Sequence, residues 1–240
     1  MNKKYVLITG GSQGIGAGIV DRLITDGYEP VILDIIEPAR KANTHFYKVD
    51  LINTEDTINV LNQVCEAYSI AHLVNNVGIV RPALLEDTKP NDFIDVMMLN
   101  ARTAMLCVQA VLPTMKSLGY GRIVSITSRV VLGKELRTAY SASKGALGAM
   151  TRTWALELAS KGITVNAVAP GPIETDAFNK NNPPGDPKTI AIKNKVPVNR
   201  LGTPEDVAQA VSFFMDENSG FITGQTLYVC GGLTIGLKTD

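Results

Sequence analysis

The feature that most constrains this chain is an alternation of short apolar runs with longer helix-period stretches. The runs, rich in Val and Ile, are Tyr5–Thr9, Pro30–Asp34, His45–Lys48, His72–Asn75, Gly121–Thr127, Thr164–Ala169 and Thr226–Val229. Between them the apolar spacing changes to that of helices, near Ile15–Asp26, Thr54–Tyr68, Asn91–Lys116, Ala139–Lys161 and Pro204–Met215. Near-continuous apolar strands separated by segments long enough for a crossover predict a parallel sheet covered on both faces. Right-handed crossovers then give a doubly wound α/β sheet, with ligands at the carboxyl ends of the strands. No composition shift or long linker divides residues 1–240, so a single domain is expected.

Composition narrows the function classes. Twenty-three basic and 23 acidic residues cancel, leaving no overall field to attract nucleic acid or a membrane surface. The three cysteines, Cys65, Cys107 and Cys230, are odd in number and contain no CxxC pair, which suits reduced thiols. The run Tyr5–Ile8 behind Lys3 and Lys4 is too short for a secretion signal, and no apolar stretch reads as long enough to span a bilayer. These readings predict a soluble, cytoplasmic chain. His45 and His72 fall at strand starts, away from the expected ligand end, so neither a His-based triad nor a metal centre is expected.

The first strand runs into Thr9-Gly10-Gly11-Ser12-Gln13-Gly14-Ile15-Gly16, which opens a helix. Glycines let the backbone approach a diphosphate, and a helix N-terminus offers free N–H groups to it. No Lys-Ser/Thr follows, which excludes a nucleoside-triphosphate P-loop, and Ile19 breaks the GxGxxG spacing. Asp34 ends the second strand. A carboxylate there accepts hydrogen bonds from the ribose hydroxyls of NAD and repels the 2′-phosphate of NADP, so NAD is the expected cofactor and NADP the less favoured one.

Tyr140 and Lys144 share one helix face by their i, i+4 spacing. A phenol near pKa 10 is a poor proton carrier at neutral pH, and a cation about 4 Å away supplies the order of energy needed to lower it. Ser128, 12 residues earlier, offers a hydroxyl to a substrate oxygen. Asn100, a polar residue inside an apolar helix, is read either as orienting a water near Lys144 or as a satisfied buried amide.

In these segments, and in Asp50-Leu51, Asn75-Asn76-Val77-Gly78, Pro170-Gly171-Pro172-Ile173-Glu174-Thr175 and Gly231-Gly232, the chain resembles the classical short-chain dehydrogenase/reductase family. The resemblance runs from Thr9 to Gly232. It implies a seven-stranded parallel sheet of Rossmann type and a catalytic tetrad at Asn100, Ser128, Tyr140 and Lys144. It implies a dinucleotide site at Gly10, Ser12, Gln13, Gly14, Ile15, Gly16, Asp34, Asp50, Leu51, Asn76 and Gly78. That site continues through Tyr140, Lys144, Pro170, Gly171, Ile173 and Thr175. Asp50 would hold the adenine amino group, Asn76 would sit under the adenosine ribose, and Ile173 and Thr175 would touch the carboxamide. Val77 replaces the alanine usual in that motif, and Cys230 stands where an aspartate is common.

Asp176–Arg200, with Asn-Lys-Asn-Asn-Pro-Pro-Gly-Asp-Pro at 179–187, reads as a loop and, by the resemblance, as a lid over the substrate. Its cations Lys180, Lys188, Lys193, Lys195 and Arg200, with Arg129, Lys134 and Arg137 near Ser128, suit a substrate bearing carboxylate or phosphate. The expected activity is NAD-dependent interconversion of a small secondary alcohol and a ketone. The alternatives are a 3-oxoacyl-thioester reductase and a dinucleotide sensor without turnover. Relatives of this kind pair through the two long central helices, so a homodimer or homotetramer is expected.

Overall fold

The computed structural model describes residues 3–39 and 43–236. Seven parallel strands, β1 (Lys4–Thr9), β2 (Tyr28–Asp34), β3 (His45–Lys48), β4 (Ile70–Asn75), β5 (Gly121–Ile126), β6 (Ile163–Pro170) and β7 (Thr226–Val229), form one sheet in the order β3-β2-β1-β4-β5-β6-β7. This is the Rossmann-type architecture expected from the sequence. The order reverses between β1 and β4, the point at which sheets of this kind bind ligands beyond the carboxyl ends of their strands.

The strands read as continuous apolar runs because both faces are buried. On β1, Leu7 packs with Val31, Leu73 and Ile123 against α2 (Thr54–Ala67) and α4 (Thr103–Leu118). Its neighbours Val6 and Ile8 point the other way, to Ile19, Val20 and Leu23 of α1 (Gly14–Thr25) and Val207, Val211 and Phe214 of α8 (Pro204–Met215). Each such side chain removed from water contributes roughly 2 kcal/mol before entropy is counted, so the two layers fix the register of the whole sheet. Edge strands β3 and β7 are four residues each, short enough to limit pairing with other chains.

Several segments depart from the sequence reading. The long stretch Asn91–Lys116 is not one helix. It divides into α3 (Pro90–Met97), a π-helical turn (Met98–Arg102) and α4. Met98, Leu99 and Ala101 continue the apolar pattern across the break, so periodicity alone does not reveal it. Pro90–Leu118 is also long and apolar enough to cross a membrane by length and composition, contrary to the expectation that no stretch is; half of its most apolar window is buried inside this fold. The stretch Asp176–Arg200 is not a plain loop, because it carries α6 (Asp176–Asn181) and α7 (Pro187–Asn194) on either side of the Pro-Pro-Gly break. Thr175 and Asp186 cap these helices through their side-chain oxygens, and Pro187 occupies the first turn of α7. β5 ends at Ile126, one residue short of Thr127. The helix after it, α5 (Thr138–Leu158), is followed by a 3-10 turn at Ala159–Lys161.

Candidate active site

The glycine loop turns sharply at Gly10, whose φ of 66° lies in the left-handed region, while its N–H donates to the Leu33 carbonyl at 2.8 Å. Gly16 lies so close beneath it that a Cβ would stand 1.9 Å from the Gly10 oxygen. Gln13 enters α1 without a side-chain cap, so the first N–H groups of that helix face the loop. Ser12 donates its N–H to Asp34 at 3.0 Å, while its own hydroxyl is buried without a partner among the described residues. A tight backbone, uncapped helix N–H groups and an orphan hydroxyl together fit a diphosphate. Asp34 also accepts from Ile36 N–H at 3.2 Å, which aims its carboxylate into the same loop.

Asn76, directly after β4, ties this loop to the next strand. Its amide donates to the carbonyls of Thr9 and Gly10 at 3.1 and 2.8 Å. The Thr9 hydroxyl accepts in return from the N–H groups of Asn76 and Val77. The Asn76 side chain therefore holds the loop in shape. Asp50 closes a turn by accepting from Ile52 N–H at 3.0 Å. Beside it a cleft of about 530 Å³ runs between Ile35, Tyr47, Asp50 and Asn59.

Asn100, Ser128, Tyr140 and Lys144 come from the π turn, the end of β5 and the first turns of α5. Asn100 is a satisfied buried amide: Oδ1 accepts from Ile79 N–H at 2.8 Å, and Nδ2 donates to the Ile79 carbonyl and to Ser143 Oγ, both at 3.0 Å. It pins the segment after Gly78 to α5. Gly78 is where the pieces meet, since a Cβ there would lie 3.2 Å from Asn100 Oδ1 and 3.4 Å from Lys144 Nζ. Lys144 donates to the Ile126 carbonyl at 2.7 Å, and its Nζ stands 5.7 Å from the centroid of the Tyr140 ring. Burial lowers its pKa to about 8. Burial likewise raises the Tyr140 phenol, outweighing the Ser128 hydroxyl and the Arg137 charge that draw it down. The expectation of a phenol already lowered by Lys144 does not hold in the protein alone.

The segment Pro170–Thr175 leaves β6 toward the glycine loop. Gly171 donates to Val229 and presses on Cys230, to whose Cα a Cβ would come within 2.8 Å. Ile173 and Glu174 are held by Gly202, and the Thr175 methyl faces Gly14. Cys230 is a packed thiol whose Sγ lies 3.3 Å from Thr234 Oγ1. Of the cations in residues 176–200, Arg200 is neutralised by a two-pronged pair with Asp206 at 2.6 and 2.8 Å. Lys134, lowered by burial and then by Arg137, Arg129 and Lys188, sits among cations that have no carboxylate partner among the described residues. Sequence reading missed the holding groups Thr9, Ile79, Ser143 and Arg102. Only Arg102, a charge inside an apolar helix two residues after Asn100, carried a local signal.

Residues 10–234 match the family described as Enoyl-(Acyl carrier protein) reductase. The chain is 40% identical to the 3-oxoacyl-[acyl-carrier-protein] reductase FabG of Rickettsia bellii, over 97% of this chain and 98% of that one. It is 35% identical to the (2S)-[(R)-hydroxy(phenyl)methyl]succinyl-CoA dehydrogenase subunit BbsD of Thauera aromatica, over 98% of each. A solved structure of ElxO with NADP bound superposes with a TM-score of 0.91 at 32% identity, over 98% of this chain and all of that one.

Proposed function

The chain belongs to the classical short-chain dehydrogenase/reductase family and is an oxidoreductase, and on that premise we propose that its substrate is a 3-oxoacyl or 3-hydroxyacyl group carried as a thioester. The observation carrying this reading is the full-length likeness to two proteins that act on such groups, one on acyl carrier protein and one on coenzyme A. It displaces the small secondary alcohol expected first from the sequence. The cations Arg129, Lys134, Arg137 and Lys188 support it, because both carriers bring phosphate to the mouth of the site.

A nicotinamide dinucleotide supplies the hydride chemistry when bound. Gly10, Ser12 and the first turn of α1 would hold its diphosphate, Asp34 and Asp50 its adenosine, and Ile173 and Thr175 its carboxamide. Tyr140 exchanges the proton of the substrate oxygen, and Ser128 orients that oxygen toward the phenol. Lys144, fixed by Ile126, supplies positive charge on the phenol's side of the site. Asn100 keeps Gly78 and Ile79 in place behind Lys144. We assign NAD as the preferred dinucleotide because Asp34 is aimed at the loop where a 2′-phosphate would lie, although ElxO carries NADP.

Exposed Phe93, Ile94, Met98 and Met105 on α3–α4 and Phe213, Phe221 and Leu227 near β7 support a homodimer or homotetramer. The three free cysteines suit a reducing cytoplasm. The deciding experiment follows reduced-nicotinamide absorbance with acetoacetyl-CoA, acetoacetyl acyl carrier protein and neutral ketones of matching size, each with both dinucleotides. The expected result is turnover of the thioesters at least tenfold above the ketones. Equal turnover of the neutral ketones would remove the thioester reading.

A further inference from the structure

Arg102 lies at the end of the π turn that carries Asn100, yet its guanidinium points away toward the turn that carries Asp50. There Nη2 donates to the carbonyls of Leu51 and Ile52 at 3.1 and 2.7 Å, and Nη1 donates to Thr54 Oγ1. Thr103, the next residue, donates its buried hydroxyl to the same Leu51 carbonyl at 3.0 Å. Thr57 reaches that carbonyl from α2 at 3.3 Å. No carboxylate neutralises Arg102 among the described residues, and burial lowers its pKa. A charge accepted by two main-chain carbonyls and one hydroxyl, with no carboxylate, is held by geometry, since such dipoles lose their hold when turned away.

The two ends of this arrangement belong to different halves of the site. At one end, Asp50 and Leu51 form the turn at which the resemblance places the adenosine, Asp50 accepting there from Ile52 N–H. At the other, Asn100 fixes Ile79 and Ser143, and through Gly78 it borders Lys144. A π turn has a looser hydrogen-bond ladder than an α-helix, so external clamps decide its position. We propose that Arg102 is a positioning residue that locks the Asn100 turn to the Asp50 turn, so that seating of the adenosine and placement of the reacting groups depend on one another. It touches neither substrate nor dinucleotide. The assignment rests on the reading of Asn100 as part of the site.

The test uses the full chain and its R102M, R102K, N100A and N100A/R102M variants. Rates are referred to folded protein measured by circular dichroism. Steady-state kinetics are taken with acetoacetyl-CoA, and binding of the reduced dinucleotide is followed by its fluorescence. R102M is expected to lower kcat by about tenfold to a hundredfold, the scale of a displaced catalytic group, with the thioester KM within about twofold. Dinucleotide affinity should fall severalfold. R102K, which keeps a donor for the carbonyls, should recover part of the loss. The double variant should be no slower than N100A, because the clamp has nothing left to place.

A kcat for R102M within twofold of wild type, with N100A severely impaired, would overturn the clamp and leave the site reading intact. Additive losses in the double variant would also overturn it, showing that Arg102 acts independently of Asn100. If R102M misfolds, the same comparison is made between R102K and N100A/R102K. Full activity of N100A would remove the reading of Asn100, and the clamp with it.

Discussion

Lys144 Nζ donates to the carbonyl of Ile126 at 2.7 Å, at the last residue of β5 and within the buried floor of the site. An ammonium held by one carbonyl dipole in a dry setting is only partly compensated, and its pKa falls to about 8. In the unfolded chain the same group keeps its ordinary value of 10.5. Between these two values the unfolded state binds more protons, so stability rises with pH across that window. The gap corresponds to about 3 kcal/mol, present in full only above the unfolded value. In denaturant melts of the dinucleotide-free protein from pH 7 to 10.5, the stability of wild type relative to K144M should rise across this window, since the raised pKa values of buried Cys107 and Tyr28, which act in the opposite direction, are common to both.

Tyr140 presents the opposite case, a neutral group kept neutral by burial. Its phenol is raised in the protein alone, with Ser128 and Arg137 drawing it down. On the proposed mechanism, the positive charge of an oxidised nicotinamide would favour its ionisation. Y140F should lower turnover by about 10² to 10⁴, the span attributed to a positioned acid or base, while binding of the reduced dinucleotide stays within severalfold. S128A removes the hydroxyl that favours the phenolate. It should shift the acid limb of the alcohol-oxidation profile, where the phenolate is lost to protonation, to higher pH as well as slowing turnover. An unchanged limb in S128A would show that Ser128 does not act on the phenol.

The strands were legible because burial on both faces writes itself as continuous Val, Ile and Leu, as at Val6-Leu7-Ile8. Tyr140 and Lys144 were legible because four residues of α-helix place them on one face. Asn100 showed as a misfit in an apolar run, but its partners Ile79 and Ser143 lie 21 and 43 residues away. Such long-range pairs leave no local pattern. The π turn was hidden for a related reason: an extra residue in a buried helix changes hydrogen bonding without changing composition. In residues 176–200, Asp186-Pro187 carried a helix-start signal that the neighbouring Pro-Pro-Gly obscured.

Asp34 makes the dinucleotide preference testable. Its carboxylate accepts from Ser12 and Ile36, so it is fixed in the glycine loop. Like charges about 4 Å apart at an effective dielectric near 20 repel by roughly 4 kcal/mol, and solvent will reduce that figure. D34N keeps an acceptor for Ser12 while removing the charge. The ratio of kcat/KM for NADH over NADPH should then fall by about tenfold or more, chiefly through better use of NADPH. An unchanged ratio would place the selectivity elsewhere.

Gly16 tests the cradle itself. A methyl group there would stand 1.9 Å from the Gly10 backbone oxygen, a clash no side-chain motion relieves, and 2.7 Å from the Asn76 side-chain amide. G16A must push Gly10 outward and break the Asn76 clamp that shapes the loop. Dinucleotide binding should weaken by at least tenfold, with a stability loss of about 1 to 3 kcal/mol typical of overpacking. Fluorescence titration and denaturant melts measure the two separately.

Lys134 tests the mouth of the site. It lies among Arg137, Arg129 and Lys188, which together lower its pKa beyond what burial does, so each cation makes the next one less favourable without an anion present. A phosphate entering that group relieves the mutual repulsion as well as forming new pairs. K134A should therefore raise KM for acetoacetyl-CoA severalfold and leave KM for the matching N-acetylcysteamine thioester, which ends before the phosphate, nearly unchanged. Salt should weaken the coenzyme A substrate in wild type and weaken it less in K134A, since exposed charges are screened within about 10 Å at 0.1 M. Equal sensitivity of both thioesters to K134A would mean that the lysine serves the fold of the 129–137 segment and not the carrier.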